Sequence, residues 1–230
     1  MENDFTQFIV NIYSRRAHGY DSRAHLYYLI GYRIGAYRKK AVKQLQLKPG
    51  NTVIDIACGT GLNFPLLQNV VGSRGKIIGV DATGAMLDQA KNKVEKRGWQ
   101  NVQLIHGDAA DYQFPAEVNG VISTFALSLI PGFEKIIMNG VNALAPGGRW
   151  VVMEVKVPSN WLSRLLPVFK PLLKPFGVTT ELIEQKPWEI ILNAFKQNMQ
   201  NVNIKEIYLG TTFIASGGAK NQYQKCVSKQ

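Results

Sequence analysis

The run Thr52-Val-Ile-Asp-Ile-Ala57 passes directly into Cys58-Gly-Thr-Gly61, and no other stretch restricts the possible folds of this chain as much. The β-branched apolar segment is long enough for one strand, and the turn sequence Lys48-Pro-Gly-Asn51 marks its start. Glycines at its end let the backbone turn tightly and bring a ligand against the main chain with no Cβ in the way. A strand that ends in such a loop and opens a helix is a unit of an α/β sheet, with its ligand crevice beyond the carboxyl end of the strand.

The pattern repeats downstream. Lys76–Val80, Val102–His106, Val118–Ser123 and Arg149–Val155 are further short apolar runs, the last introduced by the turn Ala145-Pro-Gly-Gly148. Met86, Leu87, Ala90 and Val94 recur at helical spacing, and Gly98 stops that helix. Val202–Leu209 and Thr211–Ser216 form a closing hairpin through Gly210. The expected fold is α/β: a Rossmann-like, seven-stranded, mostly parallel sheet with helices on both faces.

With 230 residues, 46% of them hydrophobic, the chain suits one core better than two. We divide this single domain into an N-terminal helical cap (1–48), a ligand-binding core (49–155), a lid or insertion (156–200) and a closing hairpin and tail (201–230). The cap mixes Tyr with Arg, and the lid is rich in Pro and bulky apolar residues between Trp161 and Gly177. Pro187 starts a helix with Trp188, Ile191, Leu192, Phe195 and Met199 on one face. Residues 1–50 carry nine Lys and Arg against three acids, and residues 156–230 carry ten against four, whereas the middle is nearly balanced. Basic flanks fit an anionic partner, either a membrane surface or a nucleic acid, or else a solvated basic surface. The apolar runs are too short to span a bilayer and no secretory signal opens the chain, so a cytoplasmic location is expected, with peripheral membrane contact open. Cys58 and Cys226 have neither the spacing of a disulfide framework nor neighbouring His for zinc, and no metal site is expected.

Phe64 stands where a dinucleotide fingerprint needs a third small residue, which disfavours NAD. Asp81, 20 residues past Gly61, ends the second strand, where a carboxylate can accept both hydroxyls of a ribose or cap a helix. Asp108 follows the third strand, where it can accept from an adenine amino group or sit in a surface loop.

From about Pro49 to Val155 these residues together resemble the class I methyltransferases, which implies S-adenosylmethionine as cofactor. The resemblance assigns Asp55, Gly59 and Gly61 to the methionine end, Asp81 to the ribose, and Asp108 and Ala109 to the adenine, and Ala82 and Met86 are further expected cofactor-binding residues. Ser123 and Phe125 fall on the methyl-transfer side. Cys58 reads as a small packing residue.

Methyl transfer from a sulfonium is an in-line displacement that requires orientation and exclusion of water rather than a protein nucleophile. Tyr20 is placed to close over the cofactor, and its ring can contact a sulfonium or an amine by cation–π attraction. His106 reads as structural, while His18 and His25 flank Tyr20-Asp21 in the cap. Tyr20-Asp21, Gly61-Leu-Asn-Phe-Pro65, Gly98-Trp99 and Ser123-Thr-Phe-Ala-Leu-Ser-Leu-Ile-Pro131 are similar to the bacterial phospholipid and betaine-lipid N-methyltransferases within the ubiquinone/menaquinone methyltransferase group. That likeness implies methylation of an amphiphilic amine, with Tyr20 and Phe125 as pocket walls. Carbon or oxygen methylation of a quinone or other small molecule, and methylation of a soluble amine, stay open. Ser123-Thr-Phe-Ala126 replaces the Pro-rich motif of base-amino methyltransferases, which argues against nucleic acid. A non-catalytic binding protein would lose part of the Gly and Asp pattern, and all of it is present.

Overall fold

A computed structural model describes residues 2–159, 161 and 179–220. Helices α1 (Glu2–Ser14), α2 (Tyr20–Leu26) and α3 (Ile34–Gln44) precede a seven-stranded sheet. Its first five strands are β1 (Thr52–Ile56), β2 (Lys76–Asp81), β3 (Val102–His106), β4 (Val118–Thr124) and β5 (Leu144–Val155). Helices α4 (Phe64–Val71), α5 (Gly84–Lys96) and α6 (Phe133–Ala143) connect them, and α7 (Thr180–Gln185), α8 (Pro187–Asn198), β6 (Gln200–Ile207) and β7 (Thr212–Gly218) follow.

The strand order is β3-β2-β1-β4-β5-β7-β6. The pairings from β3 across to β5 are parallel, and β7 lies antiparallel between β5 and β6. Parallel strands carry helices on both faces, and their side chains divide accordingly. Val53, Ile77 and Ile122 pack with Ala41 of α3, Phe64 of α4 and Leu87 of α5. Ile54, Ile56, Ile78 and Val80 belong to the opposite core, with Ile136 of α6 and Ile191 and Phe195 of α8. Residues 187–198, within the stretch expected as a lid, therefore help to close the sheet. Trp161 is exposed, and the remainder of the Trp161–Gly177 segment lies outside the described residues.

Strand order reverses between β1 and β4, because one half of the sheet runs outward through β2 and β3 and the other through β5. Helices diverge at such a switch point and leave a crevice at the carboxyl ends of the two strands. Both ends are strained there: Ala57, just past β1, has φ 50° and Phe125, just past β4, has φ 60°. A non-glycine residue in the left-handed region costs on the order of 1–3 kcal/mol, and such residues cluster where a ligand is handled.

Candidate functional site

The crevice at the switch point is a pocket whose wall takes residues from the ends of β1, β2 and β4, from α5 and from the cap. Past β1 the backbone turns through Gly59 and Gly61, at φ 57° and 72°. A Cβ on Gly61 would lie 2.4 Å from Cδ2 of the fully buried Phe64, so bare backbone is required by packing as well as by φ. The loop is tied to β2: Asp81 Oδ2 accepts from Gly59 N–H at 2.7 Å, while Oδ1 accepts from Thr83 N–H at 2.8 Å, next to the start of α5. Burial raises the Asp81 carboxyl above the usual range against the pull of these donors. A carboxylate offers about four lone-pair positions, so two accepted bonds leave capacity for hydroxyl donors.

Tyr20, Asp81, Ala82, Met86, Asp108, Ala109 and Phe125, which come from widely separated positions in the sequence, all line this one pocket. Two further expected residues stand behind its wall. Asp55 is fully buried in β1, and its carboxylate accepts from Asn63 Nδ2 at 3.0 and 3.2 Å. Burial pushes Asp55 up to about 7, opposed by the Asn63 bond and by the nearby charge of Arg38. Ser123 is fully buried in β4, and its hydroxyl has no partner among the described residues.

The cap reaches the pocket as well. Ile9, Val10 and Tyr13 of α1 line it, and Tyr13 and Tyr20 pair with ring centroids 6.1 Å apart. Burial raises the Tyr20 hydroxyl above its ordinary pKa, although Arg38 pulls it down. Asp21 joins three elements: it accepts from Thr60 Oγ1 at 2.5 Å and from Lys93 Nζ at 2.9 Å, and Lys93 also donates to the Thr60 carbonyl. This clamp fastens α2 to the glycine loop and to α5. Of the other cap residues, His18 is exposed with Nδ1 3.5 Å from Gln89, and the side chain of His25 lies outside the described residues. His106 Nε2 lies 3.1 Å from the Ala82 carbonyl, a structural contact beside the pocket.

Sequence reasoning missed Arg38, Thr60, Asn63, Thr124 and Glu154. Arg38 Nη1 donates to Asn63 Oδ1 at 2.9 Å and to Thr124 Oγ1, and Asn63 Nδ2 donates to Thr124 Oγ1 at 3.1 Å. Glu154, 1% exposed, holds the loop that follows β4: Oε1 accepts from the N–H of Ala126 at 2.7 Å and of Leu127 at 2.6 Å, and Oε2 accepts from Ser128 Oγ at 3.0 Å. Cys58 lies in the pocket wall with its thiol pushed well up by burial, so it is protonated at neutral pH and no nucleophile. Among the described residues no three His, Cys, Asp or Glu side chains are grouped to hold a metal ion.

The model of the ubiE/COQ5 methyltransferase family matches residues 2–170. Demethylmenaquinone methyltransferases of Bacillus cereus (strain AH187) and Bacillus anthracis (strain A0248) are each 28% identical over 145 residues, 62% of this chain, and the match spans only 61% of their own length. An Aquifex aeolicus SAM-dependent methyltransferase structure shares 21% identity at a TM-score of 0.58, over 80% of this chain and 89% of that one. A Haemonchus contortus phosphoethanolamine N-methyltransferase 2, solved with S-adenosyl-L-methionine, shares 17% identity at a TM-score of 0.62, over 81% of this chain and 53% of that one. The two structures share the fold described above.

Proposed function

Because the chain belongs to the ubiE/COQ5 methyltransferase family, we propose that it transfers a methyl group from S-adenosylmethionine to an amphiphilic acceptor, foremost an amine on a lipid-like molecule. The observation that carries this reading is the division of the pocket by the strand order. Asp81 and Asp108, at the ends of β2 and β3, lie to one side of β1. Phe125, past β4, lies to the other. Acceptor oxygens on the first side match the hydroxyls of a ribose and the amino group of an adenine, and Met86 and Ala109 supply apolar surface between them. On the second side stands Phe125; the cap rings Tyr13 and Tyr20 also line the pocket, and such aromatic π faces attract a cationic amine or sulfonium.

Bound S-adenosylmethionine supplies an electrophilic methyl on a sulfonium. The chain's own part is to orient and to exclude water. Helix α1 covers the pocket, the Asp21 clamp holds the cap in place, and Glu154 sets the path of the loop that carries Phe125. No helix among the described residues is long and apolar enough to cross a membrane. Contact with a lipid surface is accordingly proposed as peripheral, through the basic flanks and the exposed Trp161.

The name of the curated relatives, demethylmenaquinone methyltransferase, favours a second reading, methylation of a quinone-type acceptor. One experiment separates the two: incubation with methyl-labelled cofactor and a total lipid extract, followed by fractionation. Label on an amine head group is the expected result, and label in the quinone fraction would replace the acceptor class. Failure of the protein to bind S-adenosylhomocysteine would refute methyl transfer altogether.

A further inference from the structure

Arg38 of α3 is only 6% exposed, yet one of its three guanidinium nitrogens carries all of its hydrogen bonds. Nη1 is held by Asn63 and Thr124, Nε is buried without a partner, and Nη2 has none among the described residues. A guanidinium stays charged at neutral pH and presents its donors as a rigid fork matched to carboxylate or phosphate oxygens. Leaving the buried Nε unmet is unfavourable unless a ligand meets it, and Nη2 beside it is not among the buried atoms. Asp55 does not, because Asn63 stands between the two, accepting from Arg38 and donating to Asp55. The guanidinium lies 5.5 Å from the Phe125 ring centroid, and Arg38 is the one cation among the described residues that line the pocket. It sits by β4, across β1 from Asp81 and Asp108. The pocket is thus positive on one side and negative on the other.

We propose that Arg38 is an oxyanion subsite of this pocket, its free Nε and Nη2 donors receiving a carboxylate or phosphate oxygen of a bound molecule. The inference rests on the methyl-transfer reading above. The oxygen has two possible sources in that reading, the carboxylate of the cofactor's amino-acid tail and the phosphate of a lipid head group. Asn63 and Thr124 hold the fork in orientation.

Calorimetry on the wild type, R38Q and R38K distinguishes the sources, with S-adenosylhomocysteine, 5′-methylthioadenosine and short-chain phosphatidylethanolamine as probes. Methylthioadenosine lacks the amino-acid tail and so reports the adenosine side alone. If the cofactor's carboxylate is the ligand, R38Q weakens S-adenosylhomocysteine by about 10- to 100-fold, the range of a lost charge-assisted bond, and leaves methylthioadenosine unchanged. A loss confined to phosphatidylethanolamine assigns the subsite to the head-group phosphate. R38K keeps the charge but not the fork and should fall between the wild type and R38Q, and it serves alone if R38Q does not fold. Inorganic sulfate should compete with S-adenosylhomocysteine or phosphatidylethanolamine on the wild type. Unchanged affinities in a folded variant, together with no competition by sulfate, would overturn the subsite and leave the methyl-transfer reading standing, since the wild type would still bind S-adenosylhomocysteine.

Discussion

Glu154 makes the stability of this protein depend on pH in a direction opposite to that of a salt-bridged carboxylate. Burial raises its carboxyl from the ordinary 4.5 to about 7, although the N–H groups of Ala126 and Leu127 and the Ser128 hydroxyl all favour the ionised form. A raised folded-state pKa means that the folded chain holds the proton more tightly than the unfolded chain does. Stability from this group is full below about pH 4.5 and is lost as pH rises through about 7. The interval corresponds to about 3 kcal/mol. E154Q is neutral at every pH, keeps an acceptor for the two N–H groups and can donate to Ser128 Oγ. Between pH 5 and pH 8, urea unfolding should therefore show the wild type losing on the order of 3 kcal/mol more than E154Q. Asp55, also raised to about 7, titrates in the same sense but is present in both proteins, so the difference between them isolates Glu154. Parallel stability curves, or a wild type that gains on E154Q as pH rises, would show that the three donors outweigh burial and would refute the argument.

Asp81→Ala should weaken S-adenosylhomocysteine binding by about 1.5–3 kcal/mol, the scale of charge-assisted hydrogen bonds, and an unchanged dissociation constant in a folded variant would remove Asp81 from the ribose site. Gly61→Ala forces a Cβ into Phe64 and a side chain into φ 72°, so a loss of about 2–4 kcal/mol in thermal melts is expected. Gly98→Ala, at φ 65° with nothing within 4 Å of the added Cβ, should lose only about 1 kcal/mol, and equal losses at the two sites would discount the Phe64 contact.

Local sequence determined the strands and the loop between them. β-branched runs such as Thr52–Ile56 and Lys76–Asp81 are bounded by turn residues, and the glycines past β1 take the left-handed backbone that their spacing implied. It also determined which acids end strands, because a residue's position along a strand is set by its own segment; Asp81 and Asp108 both reach the pocket. Which polar groups are buried together was not legible, since burial depends on how distant elements dock. Arg38 sits among Arg33, Lys39 and Lys40 in a basic, Tyr-rich stretch with nothing local to single it out. Only the packing of α3 on the sheet buries that one cation and sets it against Asn63 and Thr124, 25 and 86 residues away. In the same way β1 and β4 place Asp55 and Ser123 in the sheet interior, so both stand behind the pocket wall. Glu154 reads as one acid in an apolar run until the β4–β5 pairing brings it under the loop from Ala126 to Ser128. Short-range periodicity decided the elements, and the low-dielectric interior created by their docking decided which charges must find partners.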